Sequence, residues 1–163
     1  MSAAPEIAGQ PSGVGIRFDA SMWPLVLVTM PGELHLDDIG YLQDSYEAVF
    51  AAPKRHALIV DTSPLVSVPD ATLRKRMKEF EDGRRSIIRA KNFGSAIVLW
   101  SWFVRGAYTA LRWISPQPAP NKAFPDVREA ARWCIQGIED DGQEIPASAY
   151  ILAGMPMQPS WMP

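Results

Sequence analysis

The feature that most constrains this chain is a short apolar run that ends in three small polar residues. His56-Ala57-Leu58-Ile59-Val60 is rich in residues that favour strands, and Asp61-Thr62-Ser63 follows it directly. A helical pattern then starts near Pro69. This arrangement is typical of a buried parallel strand with polar side chains at its carboxyl end. In open α/β sheets that end is where ligands and partners bind, so the run predicts an α/β fold and directs attention to one edge of it.

Length and composition favour one ordinary globular domain. The chain has 163 residues, 47% apolar and 21% charged, which allows a sizeable core. A net charge of -2 argues against a dedicated nucleic-acid binder, so we expect no DNA partner. No apolar run approaches the roughly 20 residues of a membrane-spanning helix, and Met1 to Gln10 lacks the pattern of a secretory signal. With one cysteine, Cys134, the chain is expected to be cytoplasmic.

Strand and helix patterns alternate along the rest of the chain. Residues 14–19 alternate apolar and polar, and residues 25–30 are almost wholly apolar, which predicts a hairpin. The later patterns are a helix capped by Asp37 and stopped by Pro53, the strand 56–61, a long helix after Pro69 that Gly83 weakens, a strand at 95–100, a helix at 103–114, a short edge strand at 122–124, and a helix from Pro125 to Gly142. The order β-β-α-β-α-β-α-β-α predicts a single-domain, mixed but mainly parallel sheet of four or five strands with helices packed on it.

The two ends of the chain have a different composition from the middle. Residues 1–13 are rich in Ala, Pro, Gly and Ser and are expected to form a flexible leader, with the domain at 14–142. Residues 143–163 form a tail rich in Pro and Met, and its proline content predicts that it is not helical. Its apolar residues favour docking on the tail's own domain or on a second copy, with disorder in isolation as the alternative.

Two segments resemble the STAS fold, which anti-sigma-factor antagonists and the cytoplasmic domains of sulfate transporters share. One is the strand 57–63 with the Val68-Pro69-Asp70-Ala71-Thr72-Leu73 helix start, and the other is Lys122-Ala123-Phe124-Pro125-Asp126 with the Ala-rich helix that carries Trp133. The resemblance covers residues 14–140 and is closest to a bacterial branch called STAS/CRAL-TRIO-like. It implies a regulatory protein-interaction module of bacterial signalling, with a kinase-like partner and no cofactor.

Phospho-switch members of the STAS family carry Asp-Ser-Ser-Gly at a helix start, and the first Ser is phosphorylated. Here the helix start reads Asp70-Ala71-Thr72-Leu73, with Ala71 at the position of that Ser and Leu73 at that of the Gly. Thr72 is the nearby hydroxyl that could substitute. A phosphate there would lie at a helix N-terminus, where backbone N–H groups and the helix dipole favour negative charge.

The residues singled out for partner binding form a polar group at the strand end and the helix start: Asp61, Thr62, Ser63, Asp70, Thr72 and Arg74. Local capping of the loop and of the first helical turn is the alternative role for each of them. Ser101 and Arg105 follow the next strand and are candidate anion-binding residues at the same end of the sheet. For these too the alternative is plain packing and exposure.

Charge is unevenly distributed. Residues 74–91 hold eight cationic side chains against three carboxylates, a net charge of +5 in a chain whose total is -2. Such asymmetry can steer an acidic partner, a nucleotide or an anionic membrane, although a solvated helix face has the same composition.

Two functional hypotheses follow, and neither is an enzyme; an enzyme is the third alternative and would need chemistry from the Asp61–Ser63 and Ser101–Arg105 loops without a nearby histidine. Neither His35 nor His56 stands at metal-ligand spacing to Cys or carboxylates, and no phosphate loop or nucleophile elbow is present, so no catalytic residue, metal or cofactor is expected. The first hypothesis is a protein-interaction module that binds through residues 61–74. The second is a small apolar, lipid-like ligand bound between helices and sheet. A homo-oligomer through the tail is compatible with either.

Overall fold

A computed structural model describes residues 3–99 and 118–156, and within them strands and helices alternate as the sequence predicts. The elements are β1 (Arg17–Asp19), β2 (Leu25–Thr29), α1 (Asp38–Ala51), β3 (His56–Asp61), α2 (Ala71–Gly83), α3 (Arg85–Lys91), β4 (Asn92–Val98), β5 (Asn121–Phe124), α4 (Val127–Asp140) and α5 (Ala147–Ala153). The helix predicted at 103–114 lies outside the described residues.

The sheet has the strand order β1-β2-β3-β4-β5. β1 is antiparallel to β2, and each later pairing is parallel. The predicted hairpin and mainly parallel sheet are therefore confirmed, although β1 begins at Arg17 where the alternating pattern begins at Val14. Val14 and Ile16 still pack on or within the core, which explains why their sequence pattern is that of a strand.

Helices cover both faces of the sheet. Because side chains alternate along a strand, Leu58 and Val60 of β3 face the core under α1, α2 and α3, whereas Ala57 and Ile59 face the core under α4 and α5. Both sides of β3 are thus buried, which is why its sequence is a continuous apolar run and does not alternate. Its bounds, His56–Asp61, are those that the sequence predicts.

The helices differ from the prediction in two places, a break at Arg84 and the cap of α1. The long helix after Pro69 is two helices, because Arg84 leaves helical geometry at φ -114° and ψ 9°, directly after the poor helix former Gly83. At α1, Asp37 stands at the N-cap position but makes no side-chain cap hydrogen bond. The buried carboxylate of Asp38 accepts a hydrogen bond from the His35 backbone N–H at 2.7 Å, so Asp38 orders this turn.

β4 begins earlier than predicted, because Asn92-Phe93-Gly94 is strand and not a turn. The Asn92 side chain accepts from the Gly94 backbone N–H at 2.9 Å and donates to the Ser95 hydroxyl at 2.9 Å. Residue 94 must be glycine because the Trp133 ring of α4 packs closely against its backbone. A Cβ at this position would lie 2.4 Å from Cη2 of Trp133. This contact fixes α4 against the sheet.

The expectation that the proline-rich tail is not helical is wrong for residues 147–153, which form α5. Pro146 precedes the helix and Gly154 ends it in the left-handed conformation at φ 59°, so proline and glycine bracket this helix and do not interrupt it. Ala149 and Ala153 are fully buried in the core under α4. Arg132 Nε donates to the Ala153 carbonyl at 2.9 Å. The first part of the tail therefore docks on its own domain; contact with a second copy stays a prediction.

Candidate functional site: the carboxyl edge of the sheet

The carboxyl ends of β2, β3 and β4 lie side by side, because Thr29, Asp61 and Val98 are paired in register. The Thr62 backbone N–H and hydroxyl both donate to the Val98 carbonyl, at 3.2 and 2.5 Å. The backbone N–H and hydroxyl of Ser63 both donate to Asp61 Oδ1, at 3.0 and 2.6 Å. The polar residues that end β3 therefore bond to one another and to the sheet, which holds this edge in one conformation.

Two loops extend the edge beyond the strands. We call residues 30–37 and 61–74 together the carboxyl edge. The loops are joined where the Val66 backbone N–H donates to the Gly32 carbonyl at 2.8 Å. Leu65 turns inward and is buried in the core. The next residue, Val66, stays at the surface because its backbone is hydrogen-bonded to Gly32 and the side chain of Leu65 is buried.

Exposed apolar side chains concentrate at the carboxyl edge. Among the described residues, five large apolar side chains are strongly exposed, and three of them, Leu36, Val66 and Val68, lie on these two loops. Val66 is 73% exposed and Val68 is 59% exposed. The sequence analysis does not single out these residues as site candidates. The sequence feature that could have identified Val66 and Val68 is a pair of valines inside a loop, where polar residues are usual.

The start of α2 completes the edge. Asp70 Oδ1 accepts from the Leu73 backbone N–H at 2.9 Å, so the capping role is confirmed for Asp70. Arg74 Nη1 donates to the Pro69 carbonyl at 2.6 Å and ties the loop to the helix. Thr72 is exposed, one residue into the helix. Within the described part of the chain, no hydrogen bond joins the Asp61–Ser63 pair to this second group, so the predicted polar cluster is two adjacent groups.

The outward face of α2 is cationic near its start. We call Arg74, Lys75, Arg76 and Lys78 the basic face; all four are exposed and occupy the first two turns of α2. The carboxylates of this helix come later, at Glu79, Glu81 and Asp82. This order opposes the helix dipole, which favours anions at the N-terminus and cations at the C-terminus.

The ion pairs of the basic face are few and exposed. Lys75 Nζ lies 3.8 Å from Glu79, and Lys78 Nζ lies 2.7 Å from Asp82. Arg76 has no carboxylate partner among residues 3–99 and 118–156. Exposed pairs of this kind contribute about 0–1 kcal/mol each. The basic face therefore presents a surplus of positive charge to solvent beside the exposed valines.

A cavity of about 80 Å³ lies between the helices and one face of the sheet. The aromatic rings of Tyr46, Phe50 and Phe80 contribute to its lining, together with the Glu81 side chain. Burial raises the pKa of the Glu81 carboxyl and, with the nearby charge of Asp82, favours its protonated form. Ligand pockets are usually about 300–1,000 Å³, so this cavity is small for a lipid.

A wider, open groove of about 520 Å³ runs along β1, where Ile7, Phe18, Leu27 and Tyr41 contribute to its lining. Within the two described ranges, no three His, Cys, Asp or Glu side chains are grouped so as to hold a metal ion. None of the described helices is long and apolar enough to cross a bilayer. The anion-binding candidates Ser101 and Arg105 lie outside the described residues.

The chain is similar to a solved structure, that of an uncharacterized protein of the DUF3478 family from Shewanella loihica PV-4, described as having a SpoIIAA-like fold. The TM-score is 0.55 at 17% identity, and the match covers 79% of this chain and 99% of that one. No family model and no curated protein matches the chain. At this identity the likeness establishes the fold alone. It confirms the STAS-like α/β fold that the sequence resemblance predicts.

Proposed function

We propose that this protein is a non-enzymatic interaction module that binds a regulatory protein partner through the carboxyl edge. The observation that carries the proposal is the pair of exposed valines, Val66 and Val68, held on a loop whose flanks are fixed by hydrogen bonds. A rigid loop that presents apolar side chains to solvent loses little entropy on binding and buries apolar area at once. That is the physical requirement of a docking site.

The polar groups of the edge support a binding role over a catalytic one. Asp61 accepts both donors of Ser63, and Asp70 caps α2, so these carboxylates already have local partners. A general base must reach the proton that it removes. His56 lies at the opposite, amino end of β3, and the exposed His35 ring lies 3.8 Å from Glu33. We therefore assign no catalytic residue.

Regulation by a phosphate at Thr72 belongs to the same proposal. Thr72 is exposed in the first turn of α2, and Arg76 is four residues further along the same side of the helix. The helix N-terminus and this guanidinium would both favour a phosphate. The added charge would change the edge that the partner contacts without disturbing the core.

The test is a comparison of variants in affinity capture from an extract of the source organism, read by quantitative mass spectrometry. Val66→Asp with Val68→Asp places two charges in the docking loop. Ile151→Asp is the matched control, because Ile151 is 71% exposed but lies on α5. We expect the double variant to lose a partner, by about tenfold or more, that wild type and the control retain. Circular dichroism spectra should be the same for all three proteins.

The proposal is overturned if every protein that wild type captures is captured equally by the double valine variant. The variant Asp70→Lys is less suitable for this test than the double valine variant. It also removes the side-chain cap of α2 and so lowers the free energy of unfolding by about 1 kcal/mol. Asp70→Asn keeps a capping side chain and changes only the charge of the edge.

A second candidate function, binding of a small apolar ligand, is favoured by the open groove along β1, where apolar side chains such as Phe18 and Tyr41 lie beside the polar Arg17 and Asp19. Native mass spectrometry of protein purified from the source organism distinguishes the two. A ligand-binding protein would carry an excess mass that denaturation removes, whereas the interaction module would give the mass of the chain alone.

A further inference from the structure

We propose that the partner presents an acidic surface, and that the basic face of α2 is what this surface contacts. The inference rests on the proposed function, since it names the chemistry of the partner that binds the carboxyl edge. Four exposed cations within five residues make this the most densely cationic stretch of the described sequence. A partner rich in Asp and Glu would complement them and would be steered to this edge from a distance.

The position of these cations is unfavourable for the isolated protein. The N-terminus of α2 carries the positive end of the helix dipole, which the capping Asp70 carboxylate offsets; the charged residue inside the first turn, Arg74, is cationic. Arg74 repels the dipole, and the four cations, which are one to four residues apart, repel one another. Ion pairs within the protein do not account for the position of these four cations. The pairs of Lys75 and Lys78 are exposed, and Arg76 has no carboxylate partner in the described ranges. An external anionic surface would remove the repulsion.

The basic face and the exposed valines form one continuous stretch of chain. Val68 and Pro69 lead into α2, and the bond from Arg74 to the Pro69 carbonyl joins the loop to the first turn. A partner that covers Val66 and Val68 would therefore also contact the adjacent cations of the basic face. Apolar contacts at the centre and charged contacts at the rim are the usual composition of a protein interface.

A shaped protein surface fits this edge better than an anionic membrane. Glu79 and Asp82 are exposed on α2 beside the cations, and Asp61 and Asp70 lie within the edge. A flat layer of phosphates would repel all four carboxylates at once. A folded partner can place its own carboxylates opposite the cations and avoid the others.

The experiment is zero-length carbodiimide crosslinking in extract of the source organism, followed by affinity capture and mass spectrometry. The reagent joins a lysine amine to a carboxylate only where the two already touch. Lys75 and Lys78 are 77% and 61% exposed and lie on the basic face, whereas Lys122, on β5, is the matched control. We expect amide crosslinks from Lys75 or Lys78 to Asp or Glu of one other protein, and none to that protein from Lys122.

Charge reversal completes the test. Lys75→Glu with Arg76→Glu should lower affinity for the crosslinked partner about tenfold or more at low salt, and wild-type binding should weaken as salt rises. Arg17→Glu with Lys122→Glu, an equal change of charge elsewhere, should leave affinity unchanged.

The outcomes separate the two proposals. If the valine variant loses a partner that the charge-reversed variant keeps, the interaction function stands and the acidic partner is overturned. If no capture depends on the valines, both proposals are overturned. Crosslinks to a second copy of this chain would overturn the separate partner and identify self-association instead. Binding to phosphatidylglycerol vesicles that charge reversal abolishes, with no protein crosslink, would overturn the acidic partner and make the basic face a membrane surface.

Discussion

At the scale of single residues, His56 is the side chain whose environment departs most from expectation. It is fully buried at the start of β3, with the Trp23 and Phe50 ring centroids 5.8 and 5.9 Å from its own. Neither ring nitrogen has a hydrogen-bond partner among the described residues. Burial, and after it the charges of Lys91 and Arg55, lower the pKa of His56 to about 4. The imidazole is therefore neutral in the folded protein at neutral pH.

This burial predicts a pH-dependent stability. The unfolded chain binds a proton at His56 near pH 6.5, whereas the folded chain does so only near pH 4. The free energy of unfolding should therefore be highest above pH 6.5 and fall as the pH drops from 6.5 to 4, by about 3 kcal/mol from this residue. Urea denaturation of wild type and His56→Leu at pH 7 and pH 4.5 measures the effect.

The leucine variant is the control in that experiment, since it retains every carboxylate and loses only the imidazole. Its stability should depend less on pH than that of wild type over this interval. An equal dependence in both proteins would show that His56 does not titrate as described. The sequence places His56 at the start of the strand 56–61 but does not predict that its ring is fully buried, because Trp23 and Phe50, which pack on it, come from other parts of the chain.

At the scale of elements, sequence patterns predict those whose burial is simple. β3 is buried on both faces, so its apolar run ends where the strand ends. Gly83 signals the break between α2 and α3 locally, but the geometry at Arg84 and the start of β4 also depend on contacts with other elements. Arg84 pairs with Glu47 of α1, and Gly94 packs under Trp133 of α4. No local pattern contains those partners.

The short helix α5 shows a second limit of sequence patterns. Seven residues are too few to show a clear periodicity, and Pro146 and Pro156 on either side are typical of a loop. The helix forms because Ala149 and Ala153 are small enough to pack directly against α4. Its stability is therefore tertiary in origin.

A matched pair of glycine substitutions tests the description of the elements. Gly40 lies in the first turn of α1, and a Cβ there would meet no heavy atom within 4 Å. Gly40→Ala should raise the free energy of unfolding by about 0.5–1 kcal/mol. Gly142, which follows α4 at φ 72°, is the contrast, because Gly142→Ala should lower it by about 1–2 kcal/mol. Equal effects in chemical denaturation would contradict these assignments.

At the scale of the whole molecule, the fold sets one end of the sheet apart. Parallel pairing brings the ends of β2, β3 and β4 together, and the loops that follow β2 and β3 carry exposed apolar side chains beside a cationic helix. The sequence could predict this edge from Asp61-Thr62-Ser63 and the fold rule for parallel sheets. It could not predict that Leu65 turns inward while Val66 and Val68 turn outward, since that depends on how the loop meets Gly32.

The measurement that tests partner binding at the carboxyl edge most directly is site-specific photocrosslinking in cells of the source organism. The photoreactive residue p-benzoylphenylalanine would replace Val68 at the carboxyl edge or Ile151 on α5, two exposed apolar positions in different parts of the surface. We predict a discrete crosslinked protein from position 68 and none of that species from position 151. Crosslinks absent from position 68, or the same species from both positions, would contradict the proposed interaction.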